Sequence, residues 1–91
     1  MKKHLNIKIS GEVQGVTFRY SSKLEADKLG ISGFAKNLPD ESVYIEAEGE
    51  ETDLEEFLAW CHQGPNFAKV KDVHVEAGPL KNYQGFSIER T

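Results

Sequence analysis

The 91-residue sequence predicts an α+β domain in which two helices cover one face of a mostly antiparallel β-sheet. Three segments alternate apolar and polar residues, which is typical of strands that bury one face. Two other segments carry apolar residues at helical spacing, and turns rich in Gly and Pro separate the elements. The resulting order is strand, helix, strand, strand, helix, strand, followed by a short terminal strand.

The first three elements surround a loop that contains glycine. Residues 5–9 alternate and predict a half-buried strand that ends at Gly11. Helical spacing predicts a helix over about 17–29, and Gly30 suits the left-handed position after its end. A second strand is predicted over 33–36. The predicted apolar face of the helix comprises Phe18, Ser22, Ala26 and Leu29.

The second half of the chain holds the remaining elements. Residues 43–47 alternate and predict a strand that forms a hairpin with the one before it. Thr52 and Glu55 have the spacing of a capping box, which predicts the start of the second helix. Residues 73–77 and 86–88 predict the last two strands. The apolar stripe of the second helix comprises Leu54, Phe57, Leu58 and Cys61.

This element order is the split β-α-β pattern (βαββαβ) of ferredoxin-like folds. The length fits a single domain over residues 1–91. That architecture alone does not identify a function, because enzymes, RNA-binding proteins and regulatory modules share it.

Composition and charge narrow the class of protein. The formal net charge of −4 argues against a nucleic-acid partner, which requires a basic face. No apolar segment is long enough to cross a bilayer or to act as a signal peptide, so we expect no membrane partner. A single cysteine, Cys61, excludes an internal disulfide. We therefore expect a cytoplasmic monomer.

The segment 11–19 carries the clearest chemical signal. Backbone N–H groups of such a loop, together with the first turn of the helix that follows, can surround an anion. Gly11 and Gly15 permit unusual backbone angles, and the planar fork of Arg19 can bind two phosphate oxygens. The loop lacks the Lys-Ser/Thr pair of a nucleotide-binding loop and the cysteine of a cysteine phosphatase. The alternative is a tight structural turn followed by a solvated arginine.

The string Val-Gln-Gly-Val-Thr-Phe-Arg, residues 13–19, resembles the signature of the acylphosphatase family. A second block, which includes Leu29-Gly30, Gly33-Phe34 and Asn37, falls at the family's spacing. The resemblance extends from about Leu5 to Arg90. Two positions depart from the family pattern: Ala35 replaces a common Val, and Glu41 replaces a common Gly in the hairpin turn.

The resemblance implies an enzyme that hydrolyses acyl phosphates to carboxylate and inorganic phosphate, without metal, cofactor or covalent intermediate. It also implies that Asn37 orients the attacking water and that the loop with its arginine binds the phosphate. By motif, the phosphate-binding residues are Gln14, Gly15, Val16, Thr17, Phe18 and Arg19.

The histidines and the acidic residues do not indicate a further site. The three histidines are far apart in sequence, and none forms a pair with metal-ligand spacing. The acidic stretch from Glu46 to Glu56 is expected to be a solvated face. A module that binds a small anion or a partner without catalysis remains the main alternative function. A further alternative is the front domain of a larger carbamoyl-phosphate-handling protein, although the start at Met1 favours a protein that acts on its own.

Overall fold

Two helices pack against one face of a five-stranded sheet in a computed structural model that describes residues 1–15 and 17–90. The strands are ordered β4-β1-β3-β2-β5, and all pairs are antiparallel except β2 with β5. This arrangement confirms the predicted ferredoxin-like α+β class. None of the described helices is long and apolar enough to span a membrane. The elements are β1 (Lys2–Glu12), α1 (Phe18–Leu29), β2 (Ser32–Asn37), β3 (Val43–Glu50), α2 (Glu51–Gln63), β4 (Lys69–Gly78) and β5 (Phe86–Ile88).

The main core lies between the sheet and the two helices. The inward residues of β1 and β3 lie opposite each other in register, with Ile7 paired with Ile45. Helix α1 buries Phe18, Ser22 and Ala26 of the predicted face and leaves Leu29 partly buried, and Gly30 after its end has the predicted left-handed conformation. Cys61 of α2 is fully buried, and burial raises the pKa of its thiol. Its role is therefore packing.

The start of α2 differs from the prediction. The helix begins at Glu51 with Glu50 as its N-cap, and no side chain caps it, so the predicted capping box of Thr52 and Glu55 is wrong. Instead, the backbone N–H of Glu51 donates to the carbonyl oxygen of Met1 at 3.2 Å. An acceptor from a distant part of the chain thus satisfies one helix-end donor, which local sequence spacing cannot indicate.

The sheet face opposite the helices also contradicts the prediction, because two glutamates of the acidic stretch are buried there. Glu48 is fully buried and Glu46 is 7% exposed. The carboxylate of Glu48 accepts hydrogen bonds from Nδ1 of His4 at 2.7 Å and from the backbone N–H of Tyr83 at 3.1 Å. The loop that follows β4 covers this face. It encloses the two carboxylates in a polar cluster that would otherwise be exposed to solvent.

The pKa values of both carboxyl groups reflect this environment. Burial raises the pKa of Glu48, but hydrogen bonds from Lys81, His4 and Tyr83 outweigh burial and leave the pKa below its ordinary value. The pKa of Glu46 is lowered in the same way, since three side-chain donors outweigh its burial. Both groups are therefore ionised at neutral pH and hold the loop to the sheet.

Candidate active site

The loop between β1 and α1 turns sharply beside the end of the sheet. Val13 anchors it in the core, whereas Gly15 has φ 76° and Thr17 has φ 62°, both in the left-handed region. A Cβ on Gly15 would meet no atom within 4 Å, so the backbone angle and not the available space favours glycine there. The predicted loop residue Val16 lies outside the described residues.

Helix α1 presents its positive end to this loop. The first helical hydrogen bond runs from the N–H of Ser21 to the carbonyl oxygen of Thr17 at 2.9 Å. The N–H groups of residues 18–20 precede that bond and have no acceptor within the helix. With the helix dipole, they provide a partial positive charge at the base of the loop.

The side chain of Gln14 connects the loop to the turn between β2 and β3. Its Nε2 donates to the carbonyl oxygens of Leu38 and Ser42, both at 2.9 Å. These two carbonyls belong to the turn between β2 and β3, which starts directly after Asn37. The side-chain amide nitrogen of Gln14 thus already donates to the protein. Any contribution of Gln14 to phosphate binding would come from its backbone N–H.

Arg19 lies in the first turn of α1 and is half-buried. Its Nη1 donates to the carbonyl oxygen of Glu89 at 2.8 Å. The N–H of Glu89 in turn donates to the carbonyl oxygen of Ala35 at 2.8 Å, which continues the parallel pairing of β5 with β2. The guanidinium is therefore oriented by the sheet edge, and within the described residues its other N–H donors make no hydrogen bond to protein.

Asn37 is the last residue of β2 and pairs with Val43 of β3, which confirms the predicted hairpin. The turn that follows is held by Asp40, which accepts hydrogen bonds from the backbone N–H and the hydroxyl of Ser42. Hydrogen bonds from Lys8 and Ser42 hold the pKa of Asp40 well below its ordinary value. A rigid turn thus fixes the strand end on which Asn37 lies.

A cavity of about 310 Å³ opens between the loop, the start of α1 and the end of the sheet. It brings together Arg19 and Asn37 with three of the predicted loop residues, Gly15, Thr17 and Phe18. Two arginines, Arg19 and Arg90, line it, and no described residue that lines it carries a carboxylate. The complete lining is Val13, Gly15, Thr17, Phe18, Arg19, Tyr20, Asn37, Ile88 and Arg90.

Four of these lining residues were not among the predicted site residues, namely Val13, Tyr20, Ile88 and Arg90. Ile88 and Arg90 come from the end of the chain, where the sequence indicates only a short strand. Their period-two spacing places them on one face, and this signal could have led to Arg90. Its position beside Asn37, however, depends on the parallel pairing of β5 with β2.

The charges of the cavity suit a small anion. The protein carries a formal net charge of −4, so its overall field repels anions, whereas this cavity concentrates positive charge locally. Among residues 1–15 and 17–90, no group of three or more His, Cys, Asp or Glu side chains is placed to hold a metal ion. Metal independence itself stays a prediction.

The chain is a small α+β domain of the ferredoxin-like class, with an arginine-lined cavity at the end of its sheet. The sequence matches the family described as Acylphosphatase over residues 5–88. It is 48% identical over 84 residues to an acylphosphatase of Archaeoglobus fulgidus, covering 92% of this chain and 94% of that protein. The chain therefore belongs to the acylphosphatase family.

Solved structures agree with this assignment. An acylphosphatase from Bacillus subtilis superposes with a TM-score of 0.93 at 40% identity, covering 98% of this chain and 99% of that one. A structure of full-length HypF in the phosphate- and nucleotide-bound form matches with a TM-score of 0.88 at 30% identity. That match covers 98% of this chain but 12% of the HypF chain.

Proposed function

We propose that this acylphosphatase family member hydrolyses the carboxyl–phosphate anhydride bond of acyl phosphates in the cavity beside Arg19. The observation that carries the proposal is that Arg19 and Asn37, from separate elements, line one cavity in which no described lining residue carries a carboxylate. Such a cavity can hold a dianionic phosphoryl group together with one water molecule.

In the proposed reaction, the oxygen of water attacks phosphorus while the bond from phosphorus to the carboxylate oxygen breaks. The products are a free carboxylate, inorganic phosphate and one proton, which passes to solvent or to phosphate. A carboxylate leaving group has a pKa of about 4, so it departs as the anion without a general acid. The protein then needs to supply mainly position and positive charge.

We assign these tasks to two groups of residues. The guanidinium of Arg19 and the backbone N–H groups of the loop, residues 14–18, bind the phosphoryl oxygens and stabilise their charge. Asn37 is neutral and cannot act as a strong base, but its amide can hold water in line with the bond that breaks. The anhydride is activated, so a positioned water suffices.

A hydrolysis assay tests the proposal directly. The purified protein, freed of metal ions with excess chelator, is expected to hydrolyse acetyl phosphate and benzoyl phosphate, with inorganic phosphate as a competitive inhibitor. Asn37→Ala is expected to lower kcat more than it changes KM, because positioning the water matters in the transition state. Thermal protection by phosphate without any turnover would favour a non-catalytic anion-binding module instead.

We also propose that the protein acts as a cytoplasmic monomer. Its only cysteine is buried and forms no disulfide, which suits a reducing compartment. The cavity is completed by residues of one chain, so no second copy is required for the site. Light scattering at concentrations used in the assay tests this: a dimer with full activity would contradict the monomer.

A further inference from the structure

The end of the chain brings a second arginine into the cavity. Strand β5 runs parallel to β2, with Gly33 level with Phe86 and Ala35 level with Ile88. The same register, continued two residues along each strand, brings Arg90 level with Asn37. Both residues line the cavity that also contains Arg19.

No ion pair between described residues involves Arg90, and none involves Arg19. Arg19 uses one nitrogen for the carbonyl oxygen of Glu89, the residue that precedes Arg90. This contact fixes the backbone immediately before Arg90, and both arginines line the same cavity.

We propose that Arg90 is a second phosphate-binding residue, which contacts the phosphoryl oxygens from the side of Asn37. This inference rests on the proposed function of the cavity. In an in-line displacement, water and leaving group lie on opposite sides of phosphorus. Asn37 holds the water, so a residue level with Asn37 reaches the phosphoryl oxygens and not the acyl group. Arg90 therefore strengthens binding of every acyl phosphate, whatever its acyl group.

The test compares Arg90→Gln with Arg90→Lys and with Lys71→Gln, which removes one positive charge from an exposed position on β4. The substrates are acetyl phosphate and succinyl phosphate, whose acyl group adds a second negative charge. Loss of a charged hydrogen bond is expected to raise KM for both substrates, and Ki for inorganic phosphate, by about tenfold or more in Arg90→Gln. Arg90→Lys should recover part of this loss, and Lys71→Gln should behave as wild type.

Two results would overturn the inference. One is an unchanged Ki for phosphate in Arg90→Gln, with a midpoint of thermal unfolding equal to that of wild type. The other is an effect confined to succinyl phosphate, which would mean that Arg90 contacts the acyl group.

Failure of the proposed function has a different signature. If the wild type hydrolyses neither substrate, the catalytic proposal fails, but the role of Arg90 is still measurable. Inorganic phosphate should then raise the unfolding temperature of the wild type more than that of Arg90→Gln. Equal shifts in the two proteins would exclude Arg90 as a phosphate-binding residue. Conversely, if the wild type hydrolyses the substrates and Arg90→Gln has no effect, the proposed function stands and only the role of Arg90 is excluded.

Discussion

Arg19 and Glu89 lie 70 residues apart in sequence and are joined by a hydrogen bond of 2.8 Å between Nη1 and a backbone carbonyl oxygen. The bond connects the first turn of α1 to the residue that follows β5. Glu89 is itself bonded through its N–H to Ala35 of β2. The guanidinium therefore has a defined position before any ligand arrives, and less side-chain entropy is lost when phosphate binds.

Arg19→Ala should remove the main charge of the candidate site. We expect inorganic phosphate binding to disappear and kcat/KM to fall by roughly 100-fold or more, since a preorganised donor to the transition state is lost. Titration calorimetry with phosphate and an acetyl phosphate assay measure both effects. Arg19→Lys is the matched control, because it keeps the charge but lacks the planar fork that serves Glu89 and a ligand together. Normal turnover in Arg19→Ala would show that this arginine is not the phosphate ligand.

Gln14 supplies a different kind of prediction, because its side chain acts on the protein and not on the ligand. Gln14→Leu removes both hydrogen bonds to the turn that follows Asn37 and leaves two carbonyl oxygens without that donor. We expect a loss of about 1–2 kcal/mol in the free energy of unfolding, and a lower kcat because Asn37 is less well fixed. Urea unfolding and the hydrolysis assay measure these quantities.

A second variant makes the Gln14 prediction stricter. Gln14→Glu keeps the shape but turns a carboxylate towards the carbonyl oxygens of Leu38 and Ser42, so its stability should fall further than that of Gln14→Leu. If both variants retain the kcat of the wild type, the hydrogen bonds of the Gln14 side chain do not position Asn37.

Periodicity predicted β1, β3 and the two helices because their apolar residues recur at the spacing of a buried face. The alternation of residues 5–9 and 43–47 correctly indicates the two central strands, whose apolar residues meet in register. The site was predicted less completely. The signature identified Arg19 and Asn37 as partners, and the cavity brings them together. Arg90 was missed because its place follows from the pairing of two strands far apart in the chain.

The hairpin turn shows a departure from the family pattern whose consequence can be measured. Glu41 has φ 73°, so the turn keeps the left-handed conformation although the common glycine is replaced. That conformation costs a residue with a Cβ about 1–2 kcal/mol. Glu41→Gly relieves this cost but adds about 0.5–1 kcal/mol of unfolded-state entropy, so we expect a net gain near 0.5 kcal/mol.

Chemical denaturation of Glu41→Gly and Glu41→Ala separates the backbone effect from the loss of the side chain. The alanine variant keeps the Cβ and should show no gain. Equal stability of the two variants would contradict the explanation by backbone strain. Activity should be retained in both, because Asp40 and Ser42 still hold the turn.

The acidic stretch shows where a sequence pattern does not determine the environment. Alternation correctly places Glu46 and Glu48 on the face away from the helices, but it cannot reveal that a later loop covers that face. In the folded chain, Glu48 accepts hydrogen bonds from the backbone N–H groups of Lys81 and Tyr83 and from His4. The buried carboxylate therefore connects the covering loop to the sheet, and this loop leads directly into β5.

Glu48→Gln tests this connection through the pH dependence of stability. Because the folded-state pKa of Glu48 is lowered, its ionised form stabilises the fold fully above the ordinary glutamate pKa of about 4.3. This contribution is lost as the pH falls from that value towards the folded-state pKa. At pH 7 we expect Glu48→Gln to cost about 3 kcal/mol, since it disrupts a buried ionic cluster. The difference from wild type should shrink when unfolding is measured below about pH 4.

Glu56→Gln, at an exposed position on α2, is the matched control and should change stability by less than about 0.5 kcal/mol at every pH. Loosening the covering loop should also affect the candidate site, because the loop leads into β5 and the residue directly after β5, Glu89, carries the carbonyl oxygen that orients Arg19. We therefore expect a higher Ki for inorganic phosphate in Glu48→Gln at pH 7, measured well below its unfolding temperature. A constant stability difference between pH 3 and pH 7 would show that the ionised carboxylate of Glu48 does not hold the loop in place.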